Sequence, residues 1–152
     1  VEDDISARIS YINGEQPNLI REQIRLGLGD RLGYKQSAVK FKGAAIELRI
    51  VAEDTRRGFA PWIGTIKEFK FPTHPWSVVY THVPFDRPYP IPSDFDPNLA
   101  LALVWGDSVD DAKDKAVQFL GETVIAGTDS SNNPIITNLD YLKNNLGRLL
   151  AF

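Results

Sequence analysis

The sequence predicts an α+β domain, a mainly antiparallel sheet with flanking helices. Three observations carry this. From Phe41 to Ala52 the side chains follow period two: Ile46, Leu48 and Ile50 point one way and Glu47, Arg49 and Val51 the other. Leu99, Leu101, Leu103 and Trp105 alternate with small residues in a second strand pattern. Segments of helical period flank these strands instead of alternating with them one by one, which is the arrangement of an α+β fold.

Taken in order, Asn13-Gly14-Glu15-Gln16-Pro17 reads as a turn. A helix follows, with Pro17 near its first turn and an apolar stripe of Ile20, Ile24, Leu26 and Leu28. Gly29 and Gly33 are its candidate stops. The strand 41–52 comes next, then strands at 63–71 and 77–83 joined by a turn at Thr73-His74-Pro75. Pro84 to Pro97 is proline-rich and reads as a rigid loop outside any sheet interior. The strand through Trp105 ends at Gly106-Asp107, and Ser108 is placed to cap a helix that buries Val109, Ala112, Ala116 and Leu120. Glu122 to Ala126 is a short strand, Gly127 to Pro134 a polar loop, and Leu139, Leu142, Leu146 and Leu149 line a closing amphipathic helix.

A chain of 152 residues fits one domain, 1–152. The 43% apolar and 24% charged content is that of a globular protein, and a net charge of -3 offers no polyanion-binding surface, so nucleic acid is not an expected partner. No apolar run approaches a membrane span and no signal peptide is visible, so no membrane partner is expected. The absence of cysteine excludes disulfides, thiol nucleophiles and cysteine-ligated zinc. It fits a reducing compartment, and the expected location is the cytoplasm.

Few residues carry chemistry by themselves. Glu47 and Arg49 share a strand face about 7 Å apart; outside any motif such a pair is a surface ion pair worth about 0–1 kcal/mol. Glu53 and Asp54 are adjacent on a strand and face opposite ways, so they read as a turn, with Asp54 starting the loop before Gly58. His74 and His82 are the only histidines, too few for a metal site, and no metal ligands are assigned. Trp62, Trp76 and Trp105 read as core or interface aromatics. Asp94 and Asp96, beside prolines, read as loop acids or caps. Neither a Ser/His/Asp relay nor a Gly-x-x-x-x-Gly-Lys phosphate loop is present.

One block is specific. Gly43-Ala44-Ala45-Ile46-Glu47-Leu48-Arg49-Ile50-Val51-Ala52-Glu53-Asp54, followed by Gly58-Phe59-Ala60-Pro61-Trp62-Ile63-Gly64-Thr65-Ile66, resembles the pattern Gly-His-Ala-Ile-Glu-x-Arg-Ile-x-Ala-Glu-Asp and Gly-Phe-x-Pro-x-x-Gly-x-Ile of the biotin carboxylase C-terminal domain. Weaker similarities run in the same order. Val1-Glu2-Asp3 resembles the end of a Gln-Val-Glu-His motif, and Glu22 to Gly29 the helix after it. Phe95-Asp96-Pro97 falls where the family has Tyr-Asp-Ser. Leu103-Val104-Trp105-Gly106, Asp111-Ala112, Ile125-Ala126-Gly127 and Thr137 to Leu142 match later elements. The departures are equally definite. Ala44 and Asp3 replace histidines, Leu101 stands where the family has a lysine, and Val79 stands where some members have a basic residue at a dimer contact. About five extra residues follow Asp3, and the loop Thr128–Ile136 is longer than usual.

The resemblance implies a fragment of an ATP-grasp ligase that makes carboxybiotin from ATP, bicarbonate and a biotin carrier. It implies a helical lead-in at 1–35 and the C-terminal domain proper at 36–152. It implies catalytic roles for Glu2, as general base, and Arg49, as the cation at the enolate oxygen of biotin, with Val1, Glu2 and Arg49 at the bicarbonate site. ATP, magnesium and biotin are then the parent's cofactors, and none binds tightly to this piece, which is expected to be inactive alone. The implied partners are the N-terminal ATP-grasp part of the same parent, a biotin carboxyl carrier domain and, in a homo-oligomer, a second copy. With no methionine in the chain, Val1 reads as a processed end or a cut within a larger protein. The departures motivate an alternative expectation, a non-catalytic interaction or scaffolding domain that keeps the fold.

Overall fold

The computed structural model describes residues 2–94 and 96–150. Its elements, in chain order, begin with α1 (Glu2–Ile9), β1 (Ser10–Ile12) and α2 (Leu19–Gly27). After a 3-10 turn at Gln36–Ala38 come β2 (Val39–Phe41), β3 (Ala44–Val51), β4 (Glu53–Asp54) and β5 (Ala60–Pro61). Then follow β6 (Thr65–Lys70), β7 (Ser77–Thr81), β8 (Tyr89–Pro90) and β9 (Asn98–Gly106). The chain closes with α3 (Val109–Glu122), β10 (Val124–Thr128) and α4 (Leu139–Leu149).

All strand pairs are antiparallel. The larger sheets have the orders β3-β9-β7 and β10-β6-β8, and two-stranded ribbons join β1 to β2 and β4 to β5. In the first sheet Ile46 faces Val104, Leu48 faces Ala102 and Ile50 faces Ala100. These side chains lie on one surface because directly opposed residues share a face. They form the core with Ala112, Ala116, Phe119 and Leu120 of α3 and Leu146 of α4. The small side chains of α3 are what let it approach the sheet closely.

The period-two segment 41–52 is broken at Gly43, whose φ of 76° ends β2 and starts β3. A Cβ there would stand 2.3 Å from the carbonyl oxygen of Gly106. That approach and the positive φ are why glycine occupies the position. Asp54 caps the 3-10 turn Thr55–Arg57 by accepting from the Arg56 amide, and Gly58 closes the turn at φ 65°. Phe59 continues the left-handed backbone at φ 61°, held edge-on against Tyr141 with ring centroids 5.6 Å apart.

α2 begins just after Pro17, with Asn18 accepting from the Arg21 amide as its cap, and stops at Gly29 (φ 94°) as expected, but several other expectations are corrected. Its apolar stripe meets no core: Ile20, Ile24, Leu26 and Leu28 are all exposed, Ile24 by 60%. Val109, the first residue of α3, also faces outward, and Phe119 is buried beside Ala112, Ala116 and Leu120. Leu149 is likewise exposed at the end of α4. The short strand assigned to 122–126 starts two residues later, since α3 keeps its hydrogen bonds through Glu122 and Thr123 caps them with its amide to Phe119. The proline-rich loop contributes β8, which pairs with Thr65 and Ile66 at a sheet edge, the place where proline is tolerated. The helix α1 and the β1–β2 ribbon were not anticipated.

Candidate functional site

The site is built on the outer face of the β3-β9-β7 sheet. Because Arg49 opposes Leu101 and Tyr80 opposes the same Leu101, the three form one row across that face. Glu47, Leu103 and Val78 form the next row, and Ala45 lies beside Trp105 in the one after. The helix α1 covers part of this surface. Asp4 accepts from the Tyr80 hydroxyl, and the Arg8 guanidinium lies 4.3 Å from the centroid of the Trp105 ring. Arg8 also pairs with Asp4 at 3.5 Å one turn back. Leu103, on the same face, is completely buried.

Arg49 stands clear of this cover. Its side chain is 64% exposed, and its one charged contact among the described residues is Glu47 at 3.9 Å. At that separation and exposure the pair contributes about 0–1 kcal/mol. The guanidinium therefore keeps its planar fork of N–H donors available to an external oxyanion.

The backbone beneath Arg49 is held far more firmly than its side chain. Among the described residues β3 is an edge strand, paired only with β9, and the ladder slips between Ile50 and Val51. Asn138 fills the open edge. Its Oδ1 accepts from the Val51 amide at 2.9 Å and its Nδ2 donates to the Arg49 carbonyl at 2.8 Å. Its own amide donates to the Val51 carbonyl at 3.1 Å. Asn138 occupies the position that precedes α4, yet its side chain makes no capping bond to that helix.

Among the residues expected at the site, Arg49 is thus exposed on the sheet face. Glu2 is the first residue of α1, an element packed against β3, and is placed here by its backbone alone. Val1 lies outside the described residues, as does Phe95 of the Phe95-Asp96-Pro97 segment. Asp96 makes a local turn by accepting from the Asn98 amide at 2.8 Å. Leu101, where the resemblance expects lysine, lies directly beside Arg49. His74 takes a structural place, stacked on Trp76 with centroids 4.1 Å apart and bonded through Nε2 to Glu122 at 2.8 Å. Gln118 and His74 together hold the Glu122 carboxyl below its usual range. Among the described residues no cluster of three metal-ligating side chains occurs, and no helix is long and apolar enough to cross a membrane. Sequence reasoning missed the part played by Asn138. An asparagine before an amphipathic helix signals a cap, and only the fold shows that the amide turns the other way.

Comparison with known proteins identifies the family and the fold. Residues 47–146 match the family model described as the biotin carboxylase C-terminal domain. The chain is 33% identical to a chloroplastic biotin carboxylase of Arabidopsis thaliana over 84% of its own length and 24% of that protein. It is 33% identical to the 2-oxoglutarate carboxylase small subunit of Hydrogenobacter thermophilus, over 80% of this chain and 25% of that one. The biotin carboxylase domain dimer of the Hydrogenobacter thermophilus 2-oxoglutarate carboxylase, solved with MgADP, ADP and bicarbonate, superposes with a TM-score of 0.76. That match has 30% identity and covers 97% of this chain and 29% of the other. The chain spans about a quarter of the length of the curated relatives it matches.

Proposed function

The chain belongs to the biotin carboxylase C-terminal domain family, and from this we propose that it forms one wall of the active site of a longer ATP-grasp ligase. In that parent, bicarbonate is activated by ATP to carboxyphosphate with release of ADP. The carboxyl group then passes to the ureido nitrogen of biotin on a carrier domain, and that nitrogen loses its proton as phosphate leaves. Arg49 is the cation that meets the oxygen of the biotin enolate as negative charge develops there, an interaction that lowers the barrier because it strengthens in the transition state. Glu2 is the base that removes the bicarbonate proton. Val1, Glu2 and Arg49 together form this chain's share of the bicarbonate site.

The observation that carries this reading is the state of Arg49. It sits within the family motif, on a braced strand, with its guanidinium exposed and only a 3.9 Å contact to Glu47. ATP, magnesium and biotin serve the parent and none binds tightly to this chain alone; the relative solved with MgADP and bicarbonate supports the first two as family ligands. The exposed apolar stripe of α2 is surface of the kind that meets further protein, and it supports contact with the upstream ATP-grasp part. A carrier domain and a second copy complete the proposed partners, in the cytoplasm.

The test is ADP release with ATP, magnesium, bicarbonate and biotin, from the 152-residue chain and from the longer parent. The proposal expects turnover by the parent and none by the chain. Turnover by the chain alone contradicts the one-wall reading. A folded parent without turnover favours the scaffolding role, for which the apolar Leu101 beside Arg49 is the motivating observation.

A further inference from the structure

We propose that Asn138 is a positioning residue for Arg49, acting through the backbone of β3 without touching the reacting groups. The inference rests on the reading of Arg49 given above and adds a determinant from a distant part of the chain. Three facts carry it. First, Arg49 lies on a strand that, among the described residues, has a neighbouring strand on one side only. Backbone groups on such an edge need partners, and an unpartnered edge drifts or frays. Second, the ladder slips between Ile50 and Val51, one residue beyond Arg49. A slip of this kind bends the strand and weakens pairing where it occurs. Third, Asn138 spans that point with three hydrogen bonds of 2.8, 2.9 and 3.1 Å, and it is only 7% exposed.

The amide orientation is fixed by its partners, since the Val51 N–H needs an acceptor and the Arg49 carbonyl a donor. The side chain therefore behaves as a one-residue substitute for a missing strand. Its Nδ2 grips the carbonyl of Arg49 itself. Releasing this grip frees the peptide that carries the guanidinium while leaving the guanidinium chemically intact.

The test is a double-mutant cycle in the parent enzyme, read as biotin-stimulated ADP release, for wild type, Asn138→Asp, Arg49→Ala and the double variant. Asn138→Asp keeps the acceptor for Val51 and replaces the donor to Arg49 by a second acceptor. It is expected to lower kcat about tenfold or more, the scale of a sub-ångström displacement of a catalytic group. In the Arg49→Ala background the same change is expected to cost less than about twofold, because nothing is left to position. A purely structural role gives equal losses in both backgrounds, and that result overturns the inference, as does the absence of loss in either. If Arg49→Ala itself has no effect, the reading of Arg49 fails and this inference fails with it. If Arg49→Ala is impaired and Asn138→Asp is not, only the inference fails. Asn138→Gln carries the same amide one methylene further out. It runs through the same cycle with the same expectations and keeps the test decisive where the charged variant does not fold.

Discussion

Replacing Gly43 by alanine, beside the same change at Gly58, separates two costs that the fold assigns to one residue. Both glycines have left-handed backbones, with φ of 76° and 65°. At Gly58 an added Cβ meets nothing within 4 Å, whereas at Gly43 it meets the Gly106 carbonyl oxygen at 2.3 Å. Gly58→Ala therefore carries only the left-handed penalty, about 1 kcal/mol. Gly43→Ala carries that penalty and a contact about 1 Å too short for carbon and oxygen. The contact is relieved only by parting the end of the β3–β9 ladder, where Ala44 opposes Gly106. Losing a ladder hydrogen bond there and displacing the backbone adds about 2–3 kcal/mol. The total is about 3–4 kcal/mol. With a urea m-value of about 2 kcal/mol/M for a chain of this size, the unfolding midpoint is expected to fall by about 1.5–2 M for Gly43→Ala and about 0.5 M for Gly58→Ala. Equal shifts would refute the argument from close approach, since both variants share the φ cost and only one has the clash.

Leu48 is 1% exposed at the centre of the β3–α3 interface, so Leu48→Ala is expected to cost about 2–5 kcal/mol in chemical unfolding. Asp111 accepts from Lys115 Nζ at 2.7 Å and from the Asp107 amide at 2.8 Å, and these bonds, Lys115 first, hold its carboxyl below the ordinary range. A lowered folded value means that its stabilisation is complete above the ordinary carboxylate value and is lost as pH falls through the lower folded one. Urea midpoints measured from about pH 5 downward are expected to fall for wild type, with part of that slope missing in Asp111→Asn. Phe59→Ala keeps the left-handed strain and loses the edge contact to Tyr141, so thermal unfolding is expected to show a larger loss than for Phe59→Gly, which relieves the backbone.

How much of this was legible in the sequence depended on how much each residue says locally. β3 was readable because its inner face is buried, so the core imposes alternation on Ile46, Leu48 and Ile50, while β9, buried on both faces, was readable from its alternation of large and small side chains. The break at Gly43 was not, since a glycine within an alternating run gives no sign of the Gly106 carbonyl that demands it. The stripe on α2 was read correctly as amphipathic, but periodicity cannot say what covers a face, and here the four apolar residues are exposed. α1 escaped notice because Glu2–Ile9 is short and polar, and its packing depends on Asp4 reaching Tyr80 and Arg8 reaching Trp105 far along the chain. β8 was masked by its prolines, which are acceptable on an edge and only there. At the candidate site Arg49 was legible through its motif. Its clasp by Asn138 was not, because the two lie on segments 89 residues apart and local sequence offers the asparagine a different job as a helix cap.

The role assigned to Arg49 is tested by biotin-stimulated ADP release from the longer parent, comparing wild type with Arg49→Ala and Arg49→Lys. The expected result is a loss of about a hundredfold or more in kcat for Arg49→Ala, with Arg49→Lys recovering only part, because an ammonium keeps the charge and lacks the planar fork. Wild-type rates in Arg49→Ala would contradict it and leave the exposed guanidinium as a surface cation beside Glu47.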